Sequence, residues 1–196
     1  MKVTFAIVVI CFAVFVLQVA LGEQFTETFA LNPIKLMSGA WWQIFTYMFL
    51  HGNVTHIFIN MFVLMIFGFM VERILGTRQY LLLYFISGIG SAILHLLLTG
   101  VMDVSMLGAS GAVFGIITAY AIMFPRSIIF MFPGIPMPAI LAVAIFAFLE
   151  FVFGVFGLEP GIANWGHLGG IIAGLAYMFF WKREQRKRPR IDFVWE

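Results

Sequence analysis

The sequence predicts an all-α polytopic membrane protein, a single domain over residues 1–196 built from six transmembrane helices. Three observations lead there. The chain is 63% hydrophobic and only 10% charged, where soluble domains are about half apolar and about a quarter charged. Its apolar residues gather into six runs near the ~20 residues that a transmembrane helix needs. The breaks between them, "GEQ", "ERILGTR", "TGVMD", "PRS" through "PGIPMP", and "EPGIAN", carry turn or charge signals. Runs this long without alternation exclude the strands of a membrane barrel.

The spans follow in order at about 3–21, 54–71, 79–98, 109–124, 138–156 and 164–181. Span 1 follows Lys2 and ends near Ala20 and Gly22, small residues that would also suit a signal peptide. Its apolar run is longer than a signal peptide's core, which favours a span. Span 2 opens with "THIFIN", span 4 with "GASGAV" and span 6 with "NWGHLGG". Span 3 carries His95 near its outer end, and a structural partner is expected there. Span 5, "PAILAVAIFAFLEFVFGVFG", is rich in Phe and Ala and contains Glu150. Three readings of Glu150 stay open: protonated, paired, or lining a water cavity. It is left outside the catalytic set. The lone Cys11 permits no internal disulfide.

Sidedness comes from the basic residues. With the N-terminus inside, the inner segments hold Lys2, Arg73, Arg78, Arg126, Lys182, Arg183, Arg186, Lys187, Arg188 and Arg190, and the outer ones only Lys35. Both termini are therefore expected in the cytoplasm, with the chain in the cell (plasma or inner) membrane. The tail "WKREQRKRPR" reads as a stop-transfer anchor on an anionic leaflet rather than a nucleic-acid site.

Under this topology spans 2, 4 and 6 all enter from the outer face. His56, Asn60, Ser110 and His167 then lie in the first turns of three helices, at one depth. His56 and Asn60, four residues apart, share a helix face. Polar groups in a bilayer are costly and face a protein interior or a wet cavity, so one outward-opening pocket is expected. Its apolar floor would be Phe62, Val63, Ile117 and Ile171.

Ser110 to Phe124 spans 15 residues, about 22 Å of helix at about 1.5 Å per residue. The hydrocarbon core is about 30 Å thick. Anchored at Pro125 and Arg126, this helix must start below the outer headgroups. The preceding loop then dips into the membrane, which is tolerated only where protein or water covers its backbone. Gly108 and Gly111 permit close backbone approach. Ser110 sits among the unpaired N–H groups of a helix start, which stabilise negative charge. A serine beside such donors, with a histidine at the same depth, is what nucleophilic acyl chemistry requires. Taken alone, "GASG" could equally serve helix packing, and a lone histidine could be structural; their joint placement favours chemistry.

Together, "HGNVTHIFIN", "GASG" and "NWGHLGGIIAG" resemble the rhomboid intramembrane serine proteases, and the likeness runs through nearly the whole chain. Trp42 in the first loop and "GFMVERILG", with Gly68, Glu72 and Gly76 at the family's Gly-x-x-x-Glu-x-x-x-Gly spacing, extend it. The resemblance implies a Ser110 nucleophile with His167 as general base. His56 and Asn60, with the Ser110 backbone N–H, would stabilise the oxyanion. Gly170 and Gly174 would let span 6 approach span 4, with Gly108, Gly111, Trp42 and Glu72 as structural support. Glu72 is expected to act as a hydrogen-bond cap. The only aspartates, Asp103 and Asp192, lie in an outer loop and the inner tail, so a dyad without a carboxylate is expected. Gln43 stands where the family commonly has arginine. Phe114 replaces a frequent tyrosine, and can stack but not hydrogen-bond.

The expected function is cleavage of transmembrane segments of membrane proteins near the outer face, with no cofactor, no metal and no nucleic acid. The expected partners are transmembrane protein substrates and the lipid bilayer. The alternative is a catalytically inactive rhomboid-like protein that binds membrane clients. A zinc protease would need His-Glu-x-x-His, which is absent. An aspartyl protease would need two membrane aspartates. A metal held by His56, His95 and His167 would leave Ser110 unexplained. A transporter would show paired, interrupted half-repeats, and none is evident.

Overall fold

A computed structural model describes residues 2–100, 104–131, 134–159 and 161–187. Asp103, Asp192, Arg188 and Arg190 lie outside the described residues. The described chain is mostly helical. The order is α1 (Lys2–Leu21), α2 (Glu23–Phe29), α3 (Pro33–Met37), α4 (Gln43–Thr46), a 3-10 turn (Tyr47–Phe49), α5 (Val54–Leu75), α6 (Thr77–Thr99), α7 (Ser110–Met123), β1 (Ile128–Met131), β2 (Ile135–Pro138), α8 (Ala139–Phe156) and α9 (Asn164–Lys187).

Four of these, α1, α5, α6 and α8, are long and apolar enough to cross a membrane. α7 is apolar but has only 14 residues, in keeping with the short span 4. α9 is long, but it opens on Asn164 and His167 and ends in a basic run. The two elements that fall short are the ones that carry Ser110 and His167. Two features were not foreseen: the helical build of residues 23–49, and an antiparallel hairpin pairing Ile128 with Pro138 and Met131 with Ile135.

Local chemistry sets the boundaries. The Asn53 side chain caps α5 by accepting from His56 N at 2.8 Å, which fixes His56 in the first turn. α5 stops at Gly76, whose φ of 77° suits glycine, and α6 starts at the next residue. Asn32 caps α3, with Pro33 at its first position. Gly157, at φ 60°, ends α8 in the left-handed conformation.

α7 is the centre of the bundle, with nine of its 14 residues buried. Lipid gives helices no hydrophobic reason to associate, so close van der Waals packing decides. Glycines supply it. A Cβ at Gly170 would collide with the backbone of Gly111, and one at Gly174 would come within 2.9 Å of Gly115 Cα. On the other side of α7, Gly111 and Gly115 would collide with Ser91 and Ser87 of α6. α6, α7 and α9 therefore touch almost backbone to backbone. At the C-terminal end of α7, Lys182 Nζ donates to Ile122 O at 3.1 Å. A cation there satisfies a terminal carbonyl and favours the helix dipole of α7.

The segment Gly68-Glu72-Gly76 has a direct physical account. Glu72 is 2% exposed and reaches the start of α1. It accepts from Val3 N at 3.1 Å, Thr4 N at 2.9 Å and the Thr4 hydroxyl at 2.7 Å. Those N–H groups have no partner within α1. A Cβ on Gly68 would sit 2.6 Å from Tyr80 Oη and 3.0 Å from Thr4 Cγ2. Gly68 thus admits α1, Glu72 caps it, and Gly76 turns the chain.

Glu72→Ala is expected to lower the stability of the purified protein in detergent by at least about 1.5–3 kcal/mol, the value of one hydrogen bond to a charged group. Thermal unfolding checks this; a variant as stable as wild type would contradict the capping account.

Candidate active site

The loop before α7 is tied down on three sides. Leu31 and Met106 exchange backbone bonds at 2.9 and 2.8 Å, Gly108 N donates to Tyr47 O at 3.0 Å, and Asn32 Nδ2 donates to Ser105 Oγ at 3.2 Å. Protein thus covers the backbone of the segment that precedes the short helix. Gly108 has φ 128°, and a Cβ there would lie 2.8 Å from His56 Cε1. Glycine is thus required both by the backbone angle and by the approach of His56.

Ser110 occupies the first position of α7, where N–H groups have no helical partner. His167 lies in the first turn of α9, its backbone N bonded to Ala163 O at 3.0 Å. His167 Nε2 is 2.8 Å from Ser110 Oγ. Phe114, one turn after Ser110, packs on the imidazole with ring centres 4.8 Å apart and is backed in turn by Phe146 of α8 at 5.6 Å.

The other predicted residues fall around this pair. His56 lies against Gly108, its Nδ1 accepting from Gly52 N at 3.3 Å. Asn60, one turn on and buried, donates from Nδ2 to His56 O at 2.9 Å, leaving its second amide hydrogen and its oxygen for other partners. Trp42 is half exposed and donates from Nε1 to Thr28 O at 2.9 Å. Gln43 is buried; its Oε1 accepts from Asn32 N at 3.0 Å and its Nε2 donates to Thr28 O at 3.2 Å. Glutamine here braces the first loop from within.

Three expectations are corrected. Phe62 is not part of a pocket floor: it is 51% exposed and stacks on Phe58 along the outer face of α5, whereas Ile117 and Ile171 are buried. His95 is half-buried, and its Nδ1 has no hydrogen-bond partner among the described residues. Separately, a cavity of about 490 Å³ is lined by Gln18, Thr26, Glu27, His51 and Gly52 among others, away from Ser110 and His167.

The third correction concerns His167, expected to have no carboxylate partner: Glu150 of α8 lies beside it. Glu150 Oε1 is 3.0 Å from His167 Nδ1. Glu150 Oε2 accepts from Asn164 Nδ2 at 2.8 Å, and that amide also reaches Glu159 Oε2 at 3.2 Å. The available signal was the oddity of an acid in an otherwise apolar span; nothing in the sequence gave its partner.

His51 also escaped sequence reasoning. It is 1% exposed, between the first loop and α5, with its ring 5.2 Å from that of His56. Its backbone N donates to Gln18 Oε1 at 2.9 Å, and its carbonyl accepts from Gln18 Nε2 at 3.3 Å. Burial pushes its imidazole down to about 4, and the neighbouring His56 acts in the same direction.

Fold and site together define a helical membrane bundle with a serine–histidine contact at the start of its central helix. A family model described as Rhomboid domain matches residues 38–184, and the chain belongs to the rhomboid family. It is 32% identical over 151 residues to RHOMBOID-like protein 6, mitochondrial, of Arabidopsis thaliana, covering 76% of this chain and 47% of that protein. With Rhomboid protease GluP of Bacillus subtilis it shares 30% over 166 residues, 82% of this chain and 31% of the relative. With Rhomboid protease GlpG of Klebsiella pneumoniae it shares 29% over 190 residues, 94% and 65% respectively. The chain thus spans less than two thirds of the length of these relatives.

The fold holds His51 neutral. Its contribution to stability is complete above about pH 6.5 and drains away as pH falls toward about 4, at up to about 1.4 kcal/mol per pH unit. His51→Gln is expected to flatten this acid loss. Unfolding temperatures between pH 7 and 4.5 check it; equal slopes for variant and wild type would contradict it.

Proposed function

We propose that this chain is an intramembrane serine endopeptidase that cleaves transmembrane segments of other membrane proteins near the outer face of the membrane. The observation that carries the reading is the 2.8 Å contact between His167 Nε2 and Ser110 Oγ at the N-terminus of a short helix. Ser110 is the nucleophile. His167 takes its proton during attack on the scissile carbonyl and returns it to the leaving amine. The new oxyanion is met by the backbone N–H of Ser110 and by the side chains of His56 and Asn60, donors fixed before the charge develops. Membership of the rhomboid family supports this reading, as do relatives named as proteases.

The proposed topology has six spans, α1, α5, α6, α7, α8 and α9, with both termini cytoplasmic and the chain in a cell (plasma or inner) membrane. The inner-end contact of Lys182 with Ile122 O is consistent with that sidedness. The whole of 1–196 acts as one domain. A helical substrate must unwind locally, because its backbone is already hydrogen-bonded, so small or helix-breaking residues near the cleaved bond are expected. Access from lipid is proposed past α8, the least buried of the four long apolar helices: 17% of its apolar stretch is buried, against 28% for α1 and 33% for α5 and α6.

The test uses purified protein in detergent with a model single-span substrate. Wild type is expected to cleave it and Ser110→Ala to abolish cleavage while unfolding at the same temperature. A fluorophosphonate is expected to label Ser110, and to fail when His167 is replaced by alanine. Cleavage by pure Ser110→Ala would overturn the assignment. No cleavage by wild type, with no labelling, would favour a client-binding role.

A further inference from the structure

Glu150 presents a physical puzzle. It sits within α8, among Ala, Ile, Leu, Phe and Val, and acids at such depth are costly and rare. α8 would span equally well with a leucine there. Yet the carboxyl side chain is 13% exposed and His167 is 16% exposed, and the two face each other at 3.0 Å. Both carboxyl oxygens are committed to the first turn of α9: Oε1 to His167 Nδ1, and Oε2 to Asn164 Nδ2.

We infer that Glu150 is a positioning residue for His167, so that the site works as a Ser110–His167–Glu150 triad. This rests on the proposed proteolytic reading and adds a residue to it. The reasoning runs through tautomers. An ionised carboxylate only accepts hydrogen bonds. With Glu150 ionised, His167 Nδ1 carries the proton and donates it to the carboxylate. That leaves the Nε2 lone pair free, facing Ser110 Oγ at 2.8 Å. With the opposite tautomer, Nε2–H would point at the serine and no proton could be taken from it. Glu150 also fixes the plane of the ring, which Phe114 supports from one face.

During attack the serine proton moves to Nε2, and the imidazolium then holds both protons beside the carboxylate. Glu150 stays ionised and stabilises that cation; it accepts no proton itself, as in serine triads generally. Asn164 supports the arrangement by donating to the other carboxyl oxygen. The remaining titratable groups disposed toward His167 are the imidazoles of His56 from α5 and His95 from α6, and the Glu159 carboxylate, which shares the Asn164 amide. Among the described residues, the hydrogen-bond partner of Nδ1 is Glu150.

Two measurements test this. The first is kinetics of purified Glu150→Gln and Glu150→Leu on the model substrate. Glu150→Gln keeps size and polarity and is expected to unfold within a few degrees of wild type. Its kcat is expected to fall about 10- to 100-fold with KM little changed, a part of the 10²–10⁴ that a positioned base supplies. Glu150→Leu should fall further. The second measurement is nitrogen NMR of histidine-labelled protein, with His167 assigned from His167→Asn. Wild type is expected to show the Nδ1-protonated tautomer, with a strongly deshielded proton lost in Glu150→Gln. A wild-type kcat in Glu150→Gln, or an Nε2-protonated His167 in wild type, would overturn the triad. The NMR needs no substrate: if wild type failed to cleave, the proteolytic reading would fall while the tautomer still decided the role of Glu150.

Discussion

The contact on which the rest depends is the one between α7 and α9, where no side chain intervenes. Gly170 and Gly174 lie on the backbone of Gly111 and Gly115. In lipid, a residue that merely adds apolar surface wins nothing for helix association. What holds these helices is how closely their backbones approach. That closeness has a chemical consequence. Ser110 and His167 stand one residue before Gly111 and three before Gly170, so the contact fixes how far apart their side chains begin. A methyl group at this seam would widen it by an ångström or more, while a serine–histidine hydrogen bond tolerates only a few tenths.

Around that seam the other elements act as braces. The first loop holds the segment before Ser110 through the Leu31–Met106 pair and Gly108 N, and is itself pinned by the buried Gln43. α1 is capped by Glu72 of α5, which ties the first helix to the one that carries His56 and Asn60. α8 is the exception. It packs loosely, and its polar tie to α9 is Glu150. If substrate passes this helix, its movement and the setting of His167 are linked through one carboxylate.

Much of this was legible in the sequence. Composition and the length of the apolar runs gave the helical membrane class. Polar residues in the opening turns of three apolar runs marked Ser110, His167, His56 and Asn60, and the fold brings Ser110 to 2.8 Å from His167 and His56 against Gly108. The glycines of "GASG" and "HLGGIIAG" signalled close packing, because small residues at helical spacing have few other uses in lipid. What stayed hidden depended on rotation and pairing. Phe62 follows the polar turn of α5, but its direction around the helix is set by neighbours that the chain order does not give. Glu150 and His167 are 17 residues apart across a turn whose geometry sequence does not fix, so a glutamate in an apolar run could be noticed but not paired. The small helices between 23 and 49 lack the length for a periodic signal, and they rest on tertiary bonds such as those of Asn32 and Gln43.

The central claim is that the glycine seam, and no general property of the bundle, sets the reactive geometry. The most direct measurement is the rate at which a fluorophosphonate modifies Ser110 in folded Gly170→Val, compared with wild type and with an exposed control, Ile172→Val, two residues on in the same helix. The account predicts that Gly170→Val, while still helical by circular dichroism, loses labelling by about 100-fold or more, in line with the cost of an ångström-scale misplacement, and that Ile172→Val labels at the wild-type rate. Wild-type labelling by Gly170→Val would contradict it.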